Sequence, residues 1–190
     1  GKVQVIPHMS GEIMSHILRV AEEGKPDILI TEIGGTVGDI ESQPFLEAVR
    51  RMKRTVGAEN YLSIHTTLVP FLGAAGEAKS KPTQHSVKEL LGFGIQPDII
   101  VCRTDRDISE ELLGKISSFC NVERDCVIQN QNVESLYMVP LMLEENGLGR
   151  AVCRKLNLSK TEPDMAEWQQ MVDRLIHPVK ECTIAIVGKY

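Results

Sequence analysis

Residues 28–42, ILITEIGGTVGDIES, run from apolar residues to a carboxylate at Glu32, a glycine pair at Gly34 and Gly35, and two further acids at Asp39 and Glu41. An acid directly after a core strand projects into the crevice at the strands' carboxyl ends, where open α/β sheets take their ligands. There Glu32 has the right chemistry to hold Mg²⁺ on the phosphates of a nucleotide. The glycines let the backbone turn tightly and approach a ligand closely. The same residues also read as a surface acid before a plain turn, and Asp39 and Glu41 as the solvated entry to a helix, favoured by its dipole.

A second group is cationic. In GEAKSKPTQHSVKELL, residues 76–91, Lys79 and Lys81 stand two apart, so an extended segment points both the same way. Pro82 biases Lys81 toward extended backbone, and Thr83 is placed to cap the helix that follows. Two ammoniums beside a helix N-terminus suit a triphosphate; a solvated lysine loop is the other reading. Lys115 adds a third cation, on a helix whose apolar side is read as Leu112, Ile116 and Phe119. CRTDR, residues 102–106, is another polar cluster at a strand end, readable as an ion-paired loop.

Short strands rich in Val and Ile are expected at residues 3–6, 27–31, 61–68, 98–102, 126–129 and 183–187. They are apolar on both faces, as strands covered on both sides are. Helical spacing fills 11–23, 43–55, 84–91, 110–119 and 165–176. Ser42 is a candidate N-cap with Pro44 in the first turn. Such alternation predicts an α/β fold: a parallel sheet with helices on both faces and right-handed crossovers. GAAG at 73–76 reads as a flexible link and 156–164 as a loop. Pro178 then breaks the pattern, so residues 1–177 read as one domain and 178–190 as a linker and the first strand of a second, truncated one. The first residue is Gly1 rather than methionine, and the chain reads as a fragment.

The composition excludes several classes. With Lys+Arg 21 against Asp+Glu 26, the net charge of −5 argues against nucleic acid, as does the aromatic content of 4%, which leaves no stacking platform. The five cysteines contain no CxxC pair and read as reduced thiols of an intracellular, cytoplasmic protein. The histidines lack metal-ligand spacing. No apolar run approaches the roughly 20 residues of a membrane span, and no GxSxG nucleophile motif is present. The basic cluster at 50–54 reads as a solvated face or a subunit contact.

The stretches GKVQVIPH, EIGGTVGDIES, KPTQHSVKELL, GIQPDII, FCNV and IAIVGKY together resemble the synthetase (amidoligase) domain of the CTP synthase family. The likeness runs from Gly1 to Tyr190. It implies a P-loop NTPase-like fold related to dethiobiotin synthetase. It also implies ATP-dependent phosphorylation of O4 of UTP, followed by attack of ammonia, drawn from glutamine, to give CTP. By this resemblance Glu32 is a Mg²⁺ ligand, and Asp39, Ile40 and Glu41 contact CTP bound as feedback inhibitor. Lys79, Ser80, Lys81, Pro82, Thr83, Gln84 and Lys115 contact UTP and CTP. Gln131, Asn132 and Val133 contact ATP, although the family more often has charged residues at the first two positions. Ser80 stands where the family commonly has Thr. No catalytic nucleophile is implied.

The family's phosphate-binding loop is expected upstream of Gly1, and its glutaminase domain from about residue 183 onward, with GTP as activator through that domain. A homotetramer is implied for the full-length protein. A related amidoligase acting on a carboxylate, and a non-catalytic nucleotide-binding or oligomerisation piece, are the alternative readings. The 190-residue chain by itself is expected to be inactive.

Overall fold

The computed structural model describes residues 1–73, 76–159 and 162–189. Its strands are β1 (Ile64–Leu68), β2 (Phe71–Leu72), β3 (Glu77–Ala78), β4 (Ile99–Thr104) and β5 (Val127–Gln131). Its α-helices are α1 (Ser10–Gly24), α2 (Gln43–Val56), α3 (Lys81–Gly92), α4 (Glu110–Cys120), α5 (Val139–Glu145), α6 (Leu148–Lys155) and α7 (Ala166–Ile176). The main sheet is parallel, in the order β1-β4-β5, and β2 and β3 form a separate antiparallel hairpin. The architecture is therefore the expected α/β one, a parallel sheet with helices around it.

The central strand explains the sheet. Ile99, Ile100, Val101 and Cys102 of β4 are all buried, as a strand flanked by neighbours and covered on its faces must be. The helix α3 connects β1 to β4 and packs on β1 and α4; α4 connects β4 to β5 and packs on β5. Val87 of α3, Ile116 of α4 and Ile128 of β5 join the β4 residues in one core. A second cluster joins α1 and α2 through Met14, Ala48 and Met52. A third packs Leu46 of α2 and Leu90 of α3 against Ile33 and Val37, and so anchors the glycine-rich turn.

Several expectations are corrected. Residues 27–31 and 183–187 are not strands: no described strand lies beside them to complete a ladder, and Ile30 is 88% exposed. Residues 3–6 are not a strand either: Gln4 and Ile6 are extended but pair with no described strand, and the chain then turns into α1. The helix expected from 84 begins at Lys81, so Lys81 is helical rather than extended. Pro82 is tolerated there because first-turn N–H groups have no helical partner to lose.

Thr83 is no cap. Fully buried, it donates from Oγ1 to the Leu68 carbonyl at 3.1 Å and meets Thr67 Oγ1 at 3.0 Å. Nor does the Ser42 hydroxyl cap α2, since it donates to the Gly34 carbonyl at 3.0 Å. On α4 the buried side is Leu113, Ile116 and Cys120, and Phe119 is exposed. The helices α5 and α6 lie where no helix was expected.

The GAAG link includes residues 74 and 75, the 156–164 loop includes 160 and 161, and the terminal segment includes 190; these five lie outside the described residues. Among the described residues, no helix is long and apolar enough to cross a membrane. The five cysteines are unpaired.

The buried hydroxyl chain gives a direct test. Thr83→Val keeps the side-chain shape but removes a buried hydroxyl partner from both Thr67 and the Leu68 carbonyl. It should lower stability by about 1–3 kcal/mol, while Thr83→Ser, which keeps the hydroxyl, should cost less. Urea unfolding of the two variants beside the parent measures both.

Candidate functional site

The carboxyl ends of β1, β4 and β5 open on a cavity of about 260 Å³ lined by Leu68, Pro70, Phe71, Arg103, Thr104 and Asn132, among others. Arg103 lies along its floor. Its guanidinium donates to Asn130 Oδ1 at 3.1 Å and to Asn132 Oδ1 at 2.9 Å. The Asn132 N–H donates to the Thr104 carbonyl at 3.0 Å, tying the end of β5 to that of β4. Of the three expected ATP contacts, Asn132 alone lines this cavity. The Gln131 amide turns away to Asp107 Oδ1 at 3.1 Å, an oxygen that also accepts from Gln129 at 2.8 Å. Val133 is half-buried.

The β2–β3 hairpin borders the same cavity. Arg106 stacks its guanidinium over the Phe71 ring at 4.1 Å, a cation–π contact that fixes the hairpin to the loop after β4. The Lys79 N–H donates to the Pro70 carbonyl at 2.9 Å and extends the pairing past β3. Lys79 itself is ion-paired with Glu77 and Lys81 is exposed. Ser80 is buried and accepts from Gln84 Nε2 at 3.0 Å, so these two side chains satisfy each other. Pro82 is exposed.

Lys115 reaches the same neighbourhood from α4. Lys79 first, and Lys115 at longer range, hold the Glu77 carboxyl below its usual value. The structure thus gathers Lys79, Lys115 and the start of α3, and turns Thr83 into the core.

The acidic turn is built differently. Gly35 has φ of +88°, and a Cβ there would stand 3.0 Å from Asp39 Oδ2 and 3.1 Å from Ser42 Oγ, so only glycine fits without displacing them. Asp39 Oδ2 accepts from the Thr36 N–H at 2.9 Å, and the Asp39 N–H donates to the Thr36 carbonyl at 3.0 Å. Asp39 therefore braces the turn, whereas Ile40 and Glu41 face solvent. A Cβ at Gly38 would stand 3.0 Å from Glu89 Oε2. This contact is about 12 Å along α3 from Lys81, so the acidic turn and the lysines meet opposite ends of that helix.

Glu32 does not reach the strand-end crevice expected for it, because residues 27–31 form no strand; it lies in a separate cavity of about 260 Å³ between α1 and α2, with Ile13, His16, Ile17, Phe45 and Val49. Its carboxylate makes no hydrogen bond or ion pair with the described residues. An exposed carboxylate without an internal partner fits Mg²⁺, which takes one or two carboxylates together with water and substrate phosphates.

Other chemistry-bearing groups are structural. Burial pushes the Cys102 thiol up to about 12, so it holds its proton at neutral pH and is no nucleophile. Burial also lowers His65, whose Nε2 lies 2.9 Å from Ser86 Oγ across β1 and α3. Glu123, Asp125 and Cys126 cluster closely, but Lys155 and Arg154 already engage the carboxylates and draw Glu123 down to about 2. In the 50–54 cluster, Arg50 pairs with Glu47, Arg51 donates to Ser10 Oγ at 2.7 Å, and Lys53 lies over the Tyr61 ring at 5.6 Å.

The sequence reading passed over Arg103, Phe71 and Glu77 as site residues. Arg103 had a signal in CRTDR, and Glu77 in its two-residue spacing from Lys79. Phe71 had none, because its partner Arg106 follows β4, far along the chain.

Comparison with known proteins gives the family of the chain. The family model described as CTP synthase N-terminus matches residues 1–158. The CTP synthase of Ruminiclostridium cellulolyticum is 56% identical over 190 residues, covering 100% of this chain and 36% of the relative. That of Clostridium kluyveri is 60% identical over 188 residues, covering 99% of this chain and 35% of the relative. That of Symbiobacterium thermophilum is 56% identical over 191 residues, covering 100% and 35%. The chain thus spans about a third of the length of these relatives, and it belongs to the CTP synthase N-terminal family.

Proposed function

We propose that the complete protein carrying this chain converts UTP to CTP at the expense of ATP. O4 of UTP is phosphorylated, and ammonia released from glutamine displaces the phosphate. Family membership supports the reaction. The observation in the fold that supports the reading is that Lys79 and Lys115 both act on Glu77, in the hairpin that borders the cavity at the strand ends. Residues 1–177 form the synthetase part, in a P-loop NTPase-like fold of dethiobiotin synthetase type. Residues 178–190 lead into the glutaminase domain. The protein works in the cytoplasm as a homotetramer, with GTP activating through the glutaminase domain; these last points rest on the family likeness alone.

The chemistry asks for position and charge rather than a nucleophile. Phosphoryl transfer is driven mainly by alignment and by neutralising charge that spreads over the phosphate oxygens. Lys79, Lys81 and Lys115 hold the UTP triphosphate, with the start of α3 adding the positive end of the helix dipole. Gln84 and Ser80, already bonded to each other, set the backbone of that turn. Asn132 and Arg103 frame the ATP side, beside Gln131 and Val133. Glu32 would hold Mg²⁺, which when bound neutralises phosphate charge. Once O4 carries a phosphoryl group it leaves easily, and ammonia adds to C4. No protein sulfur or hydroxyl takes part, in keeping with the protonated Cys102.

Product control falls to the acidic turn. UTP and CTP share the triphosphate, so the lysines anchor both. They differ at position 4 of the base, an acceptor in one and an amino donor in the other. Asp39, Ile40 and Glu41 therefore form part of a separate inhibitor pocket. Within it Glu41 offers the solvent-facing carboxylate, while Asp39 is committed to its own turn.

In the complete protein, Glu32→Ala should abolish CTP synthesis from ammonia as well as from glutamine, while glutamine hydrolysis continues. Near-parental synthesis from free ammonia would mark Glu32 as a surface acid. Lys79→Ala, Lys81→Ala and Lys115→Ala should each weaken UTP more than ATP, by about 1.5–3 kcal/mol where the contact is desolvated. Equal loss of both nucleotides in steady-state kinetics would assign the lysines to the fold instead. Glu41→Ala should relieve CTP inhibition by roughly tenfold or more, corresponding to about 1.4 kcal/mol of lost binding, with little change for UTP. A CTP titration at fixed UTP measures it, and an unchanged inhibition curve would reject the role.

A further inference from the structure

The carboxylate of Glu77 sits where an anion bound by the lysines would have to compete with it. Glu77 is in β3 and Lys79 is two residues on, so an extended backbone sends both side chains to the same side. Their ion pair is open to water, with side-chain exposures of 37% for Lys79 and 59% for Glu77. Pairs this exposed hold weakly, so a stronger anion can displace the carboxylate. Glu77 cannot drift far once released. Its strand is registered to β2 with Leu72 opposite Glu77, the Lys79 N–H is bonded to Pro70, and Arg106 clasps Phe71.

We propose that Glu77 is a built-in competitor for the polyphosphate site: its carboxylate occupies Lys79 until a triphosphate takes the lysine over, and it thereby limits how tightly the site holds nucleotide. The inference rests on the reading of Lys79, Lys81 and Lys115 as triphosphate contacts. Removing the carboxylate frees Lys79 in advance and removes a repulsive charge beside the bound phosphates. A residue that merely shaped the hairpin would have the opposite effect, because its loss would loosen Lys79 and weaken binding. An exposed carboxyl is ionised at neutral pH, and Lys79 first, with Lys115 behind it, favours that form further, so the acid competes as an anion.

The test is equilibrium binding to the complete protein at fixed ionic strength, with UTP and, separately, inorganic tripolyphosphate, which lacks base and ribose. Glu77→Gln should tighten both by about two- to fivefold. Lys79→Ala should weaken both, and adding Glu77→Gln to it should recover less than the gain seen in the parent. Glu145→Gln, an exposed change at the end of α5, should leave both affinities unchanged. Unchanged or weaker binding in Glu77→Gln, with Lys79→Ala weakened, overturns the competitor role and keeps the site. Equal tightening by Glu145→Gln reduces the effect to net charge and overturns the role as well. Lys79→Ala without effect overturns the triphosphate reading itself.

Discussion

The placement of the candidate site hangs on a buried pair of threonine hydroxyls. Thr83 Oγ1 donates to the carbonyl of Leu68, the last residue of β1, and meets Thr67 Oγ1 one residue earlier. Buried hydroxyls are costly unless paired, so the two lock α3 to β1 at one register. Thr83 is the third residue of α3, which fixes Lys81 and Lys79 relative to the strand end. Just beyond, the Val69 N–H donates to the Arg103 carbonyl at 2.8 Å, so β1 and β4 finish side by side. The hairpin leaves from this junction, which is why Phe71 and Arg103 line one cavity. The lysines are thus placed by hydroxyls that need not touch a ligand.

Where local pattern decides structure, the sequence was readable. β4 declares itself by continuous apolar residues, and α1 and α2 by apolar spacing of three and four. Where a partner decides, it was not. Residues 27–31 have the composition of a core strand, yet a strand exists only with a neighbour, and none of the described strands lies beside it. Proline and glycine misled in a different way. Pro82 argues against helix at Lys81, but in a first turn its missing N–H costs nothing and α3 starts there. Pro140 and Gly147 stand where no helix was expected, yet one sits in the first turn of α5 and the other, at φ of +88°, precedes α6 as its N-cap.

Within the site, residue types were legible and their division of labour was not. Asp39 and Glu41 look equivalent in sequence, two acids at a helix entry. The structure separates them because the turn needs an acceptor for the Thr36 N–H, and Asp39 is within reach. Gly35 makes that possible, since any side chain there would press on Asp39 and Ser42. Glu41 is then left to the solvent. Their two-residue spacing predicts that Lys79 and Lys81 share one side of an extended segment. They belong instead to a strand extension and a helix start, positions set by different elements.

The cations around the strand ends are held in two distinct ways. Arg103 is fixed by Asn130 of the neighbouring strand and by Asn132 just beyond it, and its planar fork is oriented before any ligand arrives. Such a group adds recognition at little entropic cost, because its ordering comes with folding. Among the described residues the Lys79 ammonium is held by an exposed carboxylate, a weak and exchangeable partner. A flexible ammonium can change partners without disturbing the backbone, as a polyanion that must bind and leave requires. The net charge of −5 does not oppose this. At physiological salt, screening confines exposed charges to a range of about 8–10 Å. The local field near Glu77 is therefore set by Lys79, Lys115 and the start of α3 more than by the sum over the chain.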